Sequence, residues 1–357
     1  FLHIMDDVQV LLRRLFQTEN RLTFPVSGTG SAGMETAMVN CLEPGDTALI
    51  TVAGHFGARL AEMAKRAGAE LVALEAPAGK PVEPEQARAA ARGRKVKVLG
   101  VTHGETSTGA LHDLDGFRRV ADECGAVLVV DAVATAGGMP LRVDAQRLDV
   151  CFTGSQKCLS APPGLAPFTA GPRVEDLLRR RRTTVTSWYF DLTTIMKYWG
   201  HERTYHHTAP ISMVYALREA LRLVDEEGLE ARWERHRRNQ QALVAGLEAL
   251  GLELLVAPPH RMWTVTSVRV PAGVEDTKVR RRLLDEFNIE IAGGLGELKG
   301  RLWRIGLMGA SCTENNVLLL LAALEKCLLE EGFKLSPGSG VAAAVQTYQQ
   351  TPASTAH

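Results

Sequence analysis

The sequence lacks three features that would each indicate a particular class of protein. Its six cysteines have no paired spacing, which argues against a disulfide framework or a zinc site and favours a reducing compartment. Lysine plus arginine and aspartate plus glutamate both number 41, so no net charge favours nucleic acid or an acidic membrane as a partner. No apolar run reaches the roughly 18–20 residues that a membrane span requires. A composition of 45% hydrophobic residues is instead typical of a globular chain.

Short apolar runs alternate with helical segments through the first half of the chain. This alternation predicts an α/β fold, with a mostly parallel sheet covered by helices on both faces. We predict a large domain over residues 1–227 and a smaller C-terminal α+β domain over 228–335, with 252–256 as one of its strands. Residues 336–357 are of low complexity and are predicted to be disordered.

Two apolar runs in the middle of the chain each lead to a titratable side chain. Val127–Val130 ends at Asp131, and Val150–Phe152 leads into Lys157. Because ligand crevices lie at the carboxyl ends of parallel strands, these two side chains are expected at one crevice. Pyridoxal phosphate needs a lysine amine to bind it covalently and a carboxylate against its ring nitrogen. The alternative is that Asp131 caps a helix and Lys157 is a surface lysine.

A small-residue turn, residues 27–31, runs into a predicted helix over 32–41. Glycine lets a ligand approach the backbone, and the first turn of a helix offers N–H groups to a phosphate. A plain turn with a helix cap remains the alternative.

Five further residues are candidates on weaker grounds. Phe56, after a predicted strand, could stack on a flat ring or belong to the core. Thr106 lies in a polar loop at a strand end, and Arg304 lies in an apolar strand, where a buried guanidinium needs an anion or a structural ion pair. Tyr205 could offer a hydroxyl to a phosphate, as could Thr208 nearby. The adjacent His206 and His207 cannot share one helix face, and no metal site is predicted.

Taken together, these segments resemble the class V, fold-type I pyridoxal phosphate enzymes, most closely the alanine–glyoxylate and serine–pyruvate aminotransferases. The resemblance extends from about Ile4 to Glu331. It rests on the runs SGTGSAGMETAMVN, LEPGD, THGETSTG, LDGF, VVDAVATAGG, GSQKCLSAPPG, RTYHHTAP, LRLVDEEGLE and LWRIGLMG, which occur in the family's order. GSQK followed by APPG is the most specific of these, and YHHT narrows the match to this subgroup.

The resemblance implies a seven-stranded type of sheet and a role for each candidate residue. Lys157 would form the Schiff base, Asp131 would pair with the ring nitrogen, Phe56 would stack on the ring where the closest relatives have Trp, and Thr106 would bond the ring-hydroxyl side. Arg304 would bind the substrate carboxylate. The phosphate would be held by Thr29, Gly30, Ser31 and Gln156, and by Tyr205 and Thr208 of the neighbouring subunit of a homodimer.

The implied activity is transfer of an amino group from L-alanine or L-serine to glyoxylate or pyruvate. Three alternatives remain: a cysteine desulfurase-like lyase using Cys312, a phosphonate-specific transaminase, and a truncated non-catalytic protein that keeps the fold. The family's N-terminal arm and Gly/Pro-rich turn have no match here, so we expect the N-terminal segment to be incomplete. Without a peroxisomal type of C-terminus we expect a cytoplasmic protein, with a peroxisome or mitochondrion as the alternative.

Overall fold

A seven-stranded sheet forms the centre of the structure, a computed structural model that describes residues 1–351. Its strands, in the order in which they lie side by side, are β1 (Leu22–Ser27), β9 (Leu165–Ala170), β8 (Val150–Phe152), β7 (Val127–Asp131), β4 (Val96–Thr102), β2 (Thr47–Val52) and β3 (Glu70–Glu75). Only β9 runs antiparallel to its two neighbours; β8, β7, β4, β2 and β3 pair in parallel. The predicted α/β fold with a mostly parallel seven-stranded sheet is confirmed.

The central strands of this sheet are buried on both faces. Every residue of β7, β8 and β9 is buried. Helices cover both faces of a parallel sheet, so its inner strands carry near-continuous apolar runs without alternation. This explains why the short runs at Val127–Val130 and Val150–Phe152 indicated strands.

Twelve helices lie within the described residues. They are α1 (Leu2–Phe16), α2 (Gly30–Cys41), α3 (His55–Arg66), α4 (Pro84–Ala91), α5 (Leu114–Cys124), α6 (Pro172–Arg180), α7 (Leu192–Trp199), α8 (Ile211–Glu227), α9 (Leu229–Ala249), α10 (Asp276–Phe287), α11 (Glu314–Glu330) and α12 (Ser339–Gln350). Within residues 1–351, none combines the length and the apolar character that crossing a bilayer requires.

The C-terminal part has its own small sheet and its own apolar cluster. The sheet is antiparallel, in the order β10 (Val265–Arg269), β12 (Leu302–Gly306) and β11 (Ala292–Gly293). A two-stranded ribbon, β5 (Gly104–Glu105) with β6 (Ala110–Leu111), belongs to the first part of the chain. One apolar cluster draws on residues between 5 and 224, and the other on residues between 242 and 348. The boundaries at 227/228 and 335 stay predictions.

Two C-terminal predictions need correction. Residues 252–256 do not form a strand, because only Leu254 makes an isolated bridge, to Val268. The predicted disordered tail contains α12, which packs along α9. Ala344 and Tyr348, one helical turn apart, are buried there, and the Tyr348 hydroxyl donates to Asn239 Oδ1 at 2.6 Å. The sequence prediction missed this helix because its alanine-rich and glutamine-rich composition resembles that of a disordered segment. Residues 352–357, the rest of that prediction, lie outside the described range.

Candidate active site

Six of the seven strands end at one edge of the large sheet, and five of them, all except the outermost β3, lead to candidate residues. β2, β4, β7 and β8 run in parallel, and β1 has the same direction because the antiparallel β9 lies between it and β8. Their last residues are Ser27, Val52, Thr102, Asp131 and Phe152. The segments that follow them carry most of the candidate residues, which therefore meet at this edge although they are distant in sequence.

Asp131 is a buried carboxyl at the end of the central strand β7. Its Oδ1 accepts the backbone N–H of Val133 at 2.9 Å. Burial, assisted by nearby Glu105, raises the pKa of Asp131 to about 7. The Val133 N–H and the positive charges of Lys157 and Arg59 act in the opposite direction. These opposing contributions do not offset burial, so the ionised form still needs a closer cationic partner.

Lys157 lies in the turn after β8 and is partly buried. Burial lowers the pKa of its amine, and the positive charge of Arg304 lowers it further, whereas Asp131 acts to raise it. A lowered pKa increases the fraction of the amine that is neutral, and therefore nucleophilic, at a given pH. In the same turn Gln156 is exposed, and its Oε1 lies 2.8 Å from the position that a Cβ would take on Gly154.

The small-residue turn closes over the same edge. Gly28 has a φ of +141° and donates its N–H to the Gly164 carbonyl at 2.9 Å. A Cβ at Gly30 would lie 2.8 Å from Val133 Cγ2, so only glycine lets the first turn of α2 come this close. Thr29 is the N-cap of α2, but its hydroxyl accepts no N–H of that helix. The end of α2 thus keeps N–H groups and a hydroxyl for an anion.

Phe56, at the start of α3, is held by a buried carboxylate. The N–H groups of Phe56 and Gly57 donate to the Glu105 carboxylate at distances of 3.0–3.3 Å, and the Ser107 hydroxyl donates to it at 2.6 Å. Glu105 is completely buried. Sequence reasoning did not identify Glu105. The signal that could have indicated it is an acidic residue in a glycine-bounded loop at the end of a strand.

Arg304 comes to this edge from the C-terminal sheet. It lies on β12, where its Nε donates to the Gly293 carbonyl at 2.8 Å and its Nη1 to the Thr106 carbonyl at 3.1 Å. Among the described residues no carboxylate forms an ion pair with it, in contrast to the structural salt bridge that was the alternative at the sequence level. A half-buried guanidinium bound only to carbonyls is suited to an incoming carboxylate.

Comparison with known proteins agrees with this arrangement. The model of the aminotransferase class V family matches residues 1–299. The (S)-ureidoglycine–glyoxylate transaminase of Bacillus subtilis is 41% identical over 98% of this chain and 88% of its own length. The chain belongs to the class V aminotransferases.

Two further relatives have alanine–glyoxylate in their names. The alanine–glyoxylate aminotransferase of Rattus norvegicus is 40% identical, over 91% of this chain and 80% of its own length. A crystal structure of the alanine–glyoxylate aminotransferase from Nostoc sp. superposes with a TM-score of 0.89, at 48% identity over 92% of this chain and 87% of that one. The cofactor of this aminotransferase is therefore pyridoxal 5′-phosphate.

The residues at the edge of the sheet fit this cofactor. The buried carboxyl of Asp131 forms no ion pair among the described residues and can pair with a protonated ring nitrogen. The lowered pKa of Lys157 suits its amine to covalent attachment. The glycine approach at the uncapped α2 suits a phosphate. Val133, which sequence reasoning also missed, lies between Gly30 and Gly154. Its Cγ atoms come within 2.8 and 3.6 Å of where a Cβ would stand on those two glycines.

Tyr205 and Thr208 of the aminotransferase are exposed on the surface, with their hydroxyl oxygens 3.3 Å apart. Tyr205 is 76% exposed, which is high for an aromatic residue. The neighbouring His207 places Nε2 2.6 Å from the Ser27 hydroxyl, where β1 ends. The segment that carries the two hydroxyls is thereby attached to the turn that leads into α2.

Cys312 does not have the properties of a lyase nucleophile. The side chain is completely buried, and burial raises the pKa of its thiol to about 11 despite the opposing charge of Arg235. Reactive thiols have a lowered pKa and partial exposure. This observation argues against the desulfurase-like alternative.

Asp131→Asn is expected to stabilise the cofactor-free enzyme at pH values above 7. Between 3.8 and about 7 the carboxyl is ionised in the unfolded chain but protonated in the folded one, so its cost to folding grows across this range and is complete above it. The gain is at most about 4 kcal/mol. Asparagine still accepts the Val133 N–H. Urea unfolding at acidic and alkaline pH measures the difference.

The control is Asp285→Asn, at an exposed position of α10. It should change the free energy of unfolding little at either pH. A gain for Asp131→Asn that is the same in acid and alkali would contradict the assigned burial effect.

Proposed function

We propose that this aminotransferase transfers the amino group of L-alanine, or of L-serine, to glyoxylate or pyruvate in two alternating half-reactions. The observation that carries the proposal is Arg304, a half-buried cation bound to two carbonyls beside the Lys157 and Asp131 pair. Such a guanidinium can orient the carboxylate common to all four substrates. The YHHT run and the alanine–glyoxylate relatives support the choice of donor and acceptor.

The site residues divide the chemical work among them. We assign covalent attachment to Lys157, the protonated ring nitrogen to Asp131, ring stacking to Phe56 and the ring-hydroxyl side to Thr106. The phosphate is assigned to Thr29, Gly30, Ser31 and Gln156. When bound, the cofactor withdraws electrons from the substrate Cα and stores the amino group between half-reactions.

Lys157 is the group that moves the proton. Once the amino acid is bound, its neutral amine would take the proton from the substrate Cα and would later donate it to the carbon on the cofactor side of the transferred nitrogen. Arg304 fixes the carboxylate, and so fixes the direction of the Cα–H bond towards Lys157. Asp131, ionised beside the ring nitrogen, would keep that atom protonated.

Lys157→Ala is expected to abolish transamination and the covalent attachment that borohydride reduction traps, because both need the same amine. Product formation and the mass of the reduced protein measure the two effects. Lys95→Ala, an exposed lysine in the turn before β4, serves as the control and should retain both. Substantial turnover by the Lys157 variant would contradict the assignment.

Ureidoglycine is a second candidate donor. It is favoured by the similarity to the B. subtilis ureidoglycine–glyoxylate transaminase, which spans 98% of this chain. Its ureido group offers N–H donors and a carbonyl, so binding it would require polar partners that the methyl group of alanine does not need.

Single-turnover kinetics with each donor are expected to show the fastest loss of the cofactor's visible absorbance with L-alanine. The absorbance should return with glyoxylate in every case, because the second half-reaction is shared. If (S)-ureidoglycine bleaches the enzyme much faster than L-alanine and L-serine, the donor assignment is wrong while the transaminase assignment stands. No response to any of the three donors would contradict both.

We also propose a homodimer in which Tyr205 and Thr208 complete the phosphate site of the neighbouring subunit. Their exposure supports this, since two hydroxyls 3.3 Å apart on a largely exposed aromatic segment are available to a second chain.

Mixing two inactive variants tests this assignment. One is Lys157→Ala, and the other is the double variant Tyr205→Ala, Thr208→Ala, which keeps its own lysine. In a mixed dimer the double variant's site receives intact hydroxyls from the Lys157→Ala subunit, so activity should rise on subunit exchange. If the hydroxyls acted within their own subunit, mixing would restore nothing.

A further inference from the structure

The residues assigned to the cofactor phosphate carry no formal charge. Thr29, Gly30, Ser31 and Gln156 offer hydroxyls, an amide and backbone N–H groups, and Tyr205 with Thr208 adds only hydroxyls. A phosphate monoester has a charge between −1 and −2 near neutral pH. The end of α2 contributes about half a positive charge. A formal cation is therefore missing from the assigned set.

Arg59, on the first turns of α3, lies beside this set. Its Nη1 donates to Ser31 Oγ at 3.0 Å, and its Nη2 lies 3.0 Å from His55 Nε2. The guanidinium carbon is 5.2 Å from the centre of the Phe56 ring. None of its described hydrogen bonds goes to a carboxylate. By contrast, Arg66, further along the same helix, forms a salt bridge with Glu62.

The other two cations at the sheet edge have different positions. Arg304 is attached to the Thr106 and Gly293 carbonyls, on the side of the loop that follows β4. Lys157 is the amine assigned to covalent attachment. Arg59 alone among these three contacts the first turn of α2.

We propose that Arg59 is the cationic positioning residue for the cofactor phosphate and acts through the Ser31 hydroxyl. Since Arg59 donates to Ser31 Oγ, the hydroxyl proton of Ser31 is available to a phosphate oxygen. A donor that itself accepts from a guanidinium is polarised and binds an anion more strongly. This inference depends on the cofactor of the family and not on the choice between alanine, serine and ureidoglycine.

The test compares two forms of the cofactor that differ only in the phosphate. Binding of pyridoxal phosphate and of pyridoxal to the cofactor-free enzyme is measured for the native chain and for Arg59→Gln. The variant should bind pyridoxal phosphate roughly 10- to 100-fold more weakly, as expected for the loss of a charge-assisted contact. Its affinity for pyridoxal should not change. Arg59→Lys should recover part of the loss, and Arg66→Gln is the control on the same helix.

Two results would overturn the proposal. An equal loss of affinity for both compounds would place Arg59 on the ring side, over Phe56. Unchanged affinity for pyridoxal phosphate would show that Arg59 does not contribute to binding the phosphate.

A double-variant comparison covers the case in which Arg59→Gln folds poorly. In a Ser31→Ala background, the milder Arg59→Lys replacement should cost less phosphate-dependent affinity than it does in the native chain, because the link is already absent. An identical cost in both backgrounds would show that Arg59 does not act through Ser31. The visible spectrum and L-alanine turnover of the loaded native enzyme test the proposed function separately.

Discussion

The burial of the Asp131 carboxyl is the constraint on which the site depends. A carboxyl at the end of a fully buried strand is costly to ionise, and its raised pKa is the consequence of that burial. A positively charged ring nitrogen removes this cost, because the pair is then neutral as a whole. The protein therefore keeps in its core a carboxyl whose ionised form is stable only as half of an ion pair. The same burial lowers the pKa of the Lys157 amine, so one environment prepares both groups.

Strand direction brings the other groups to that carboxyl. β7 lies between β4 and β8 and ends at Asp131, and the segments that follow β4 and β8 carry Thr106 and Lys157. Because β9 is antiparallel to both β8 and β1, β1 runs in the same direction as β8. The turn between β1 and α2 therefore lies at the same edge. Arg304 alone arrives from the second sheet, and its bond to the Thr106 carbonyl joins the C-terminal part to the loop after β4.

Local patterns were sufficient for some of these features and not for others. Asp131 and Lys157 were recognisable because short apolar runs ended beside them, and a buried strand has few other sequence signatures. Glu105, Val133 and Arg59 owe their positions to contacts between segments 28–103 residues apart, which no local pattern records. The helix α12 was missed for a different reason. Its alanine-rich and glutamine-rich sequence resembles a disordered tail, and only packing on α9 makes its two buried positions significant.

The ends of α2 and α3 show how the fold distributes negative charge. Both helices begin at the same sheet edge, each after a strand of the common direction, so both direct towards the site N–H groups that have no partner within the helix. At α3 the chain provides its own anion, since Glu105 accepts the N–H groups of Phe56 and Gly57. At α2 the N-cap Thr29 leaves its hydroxyl unused by the helix. The N–H groups at the start of α3 thus have an acceptor within the chain, whereas those at the start of α2 remain available to one external anion. The start of α2 is also the one that Arg59 contacts, through Ser31.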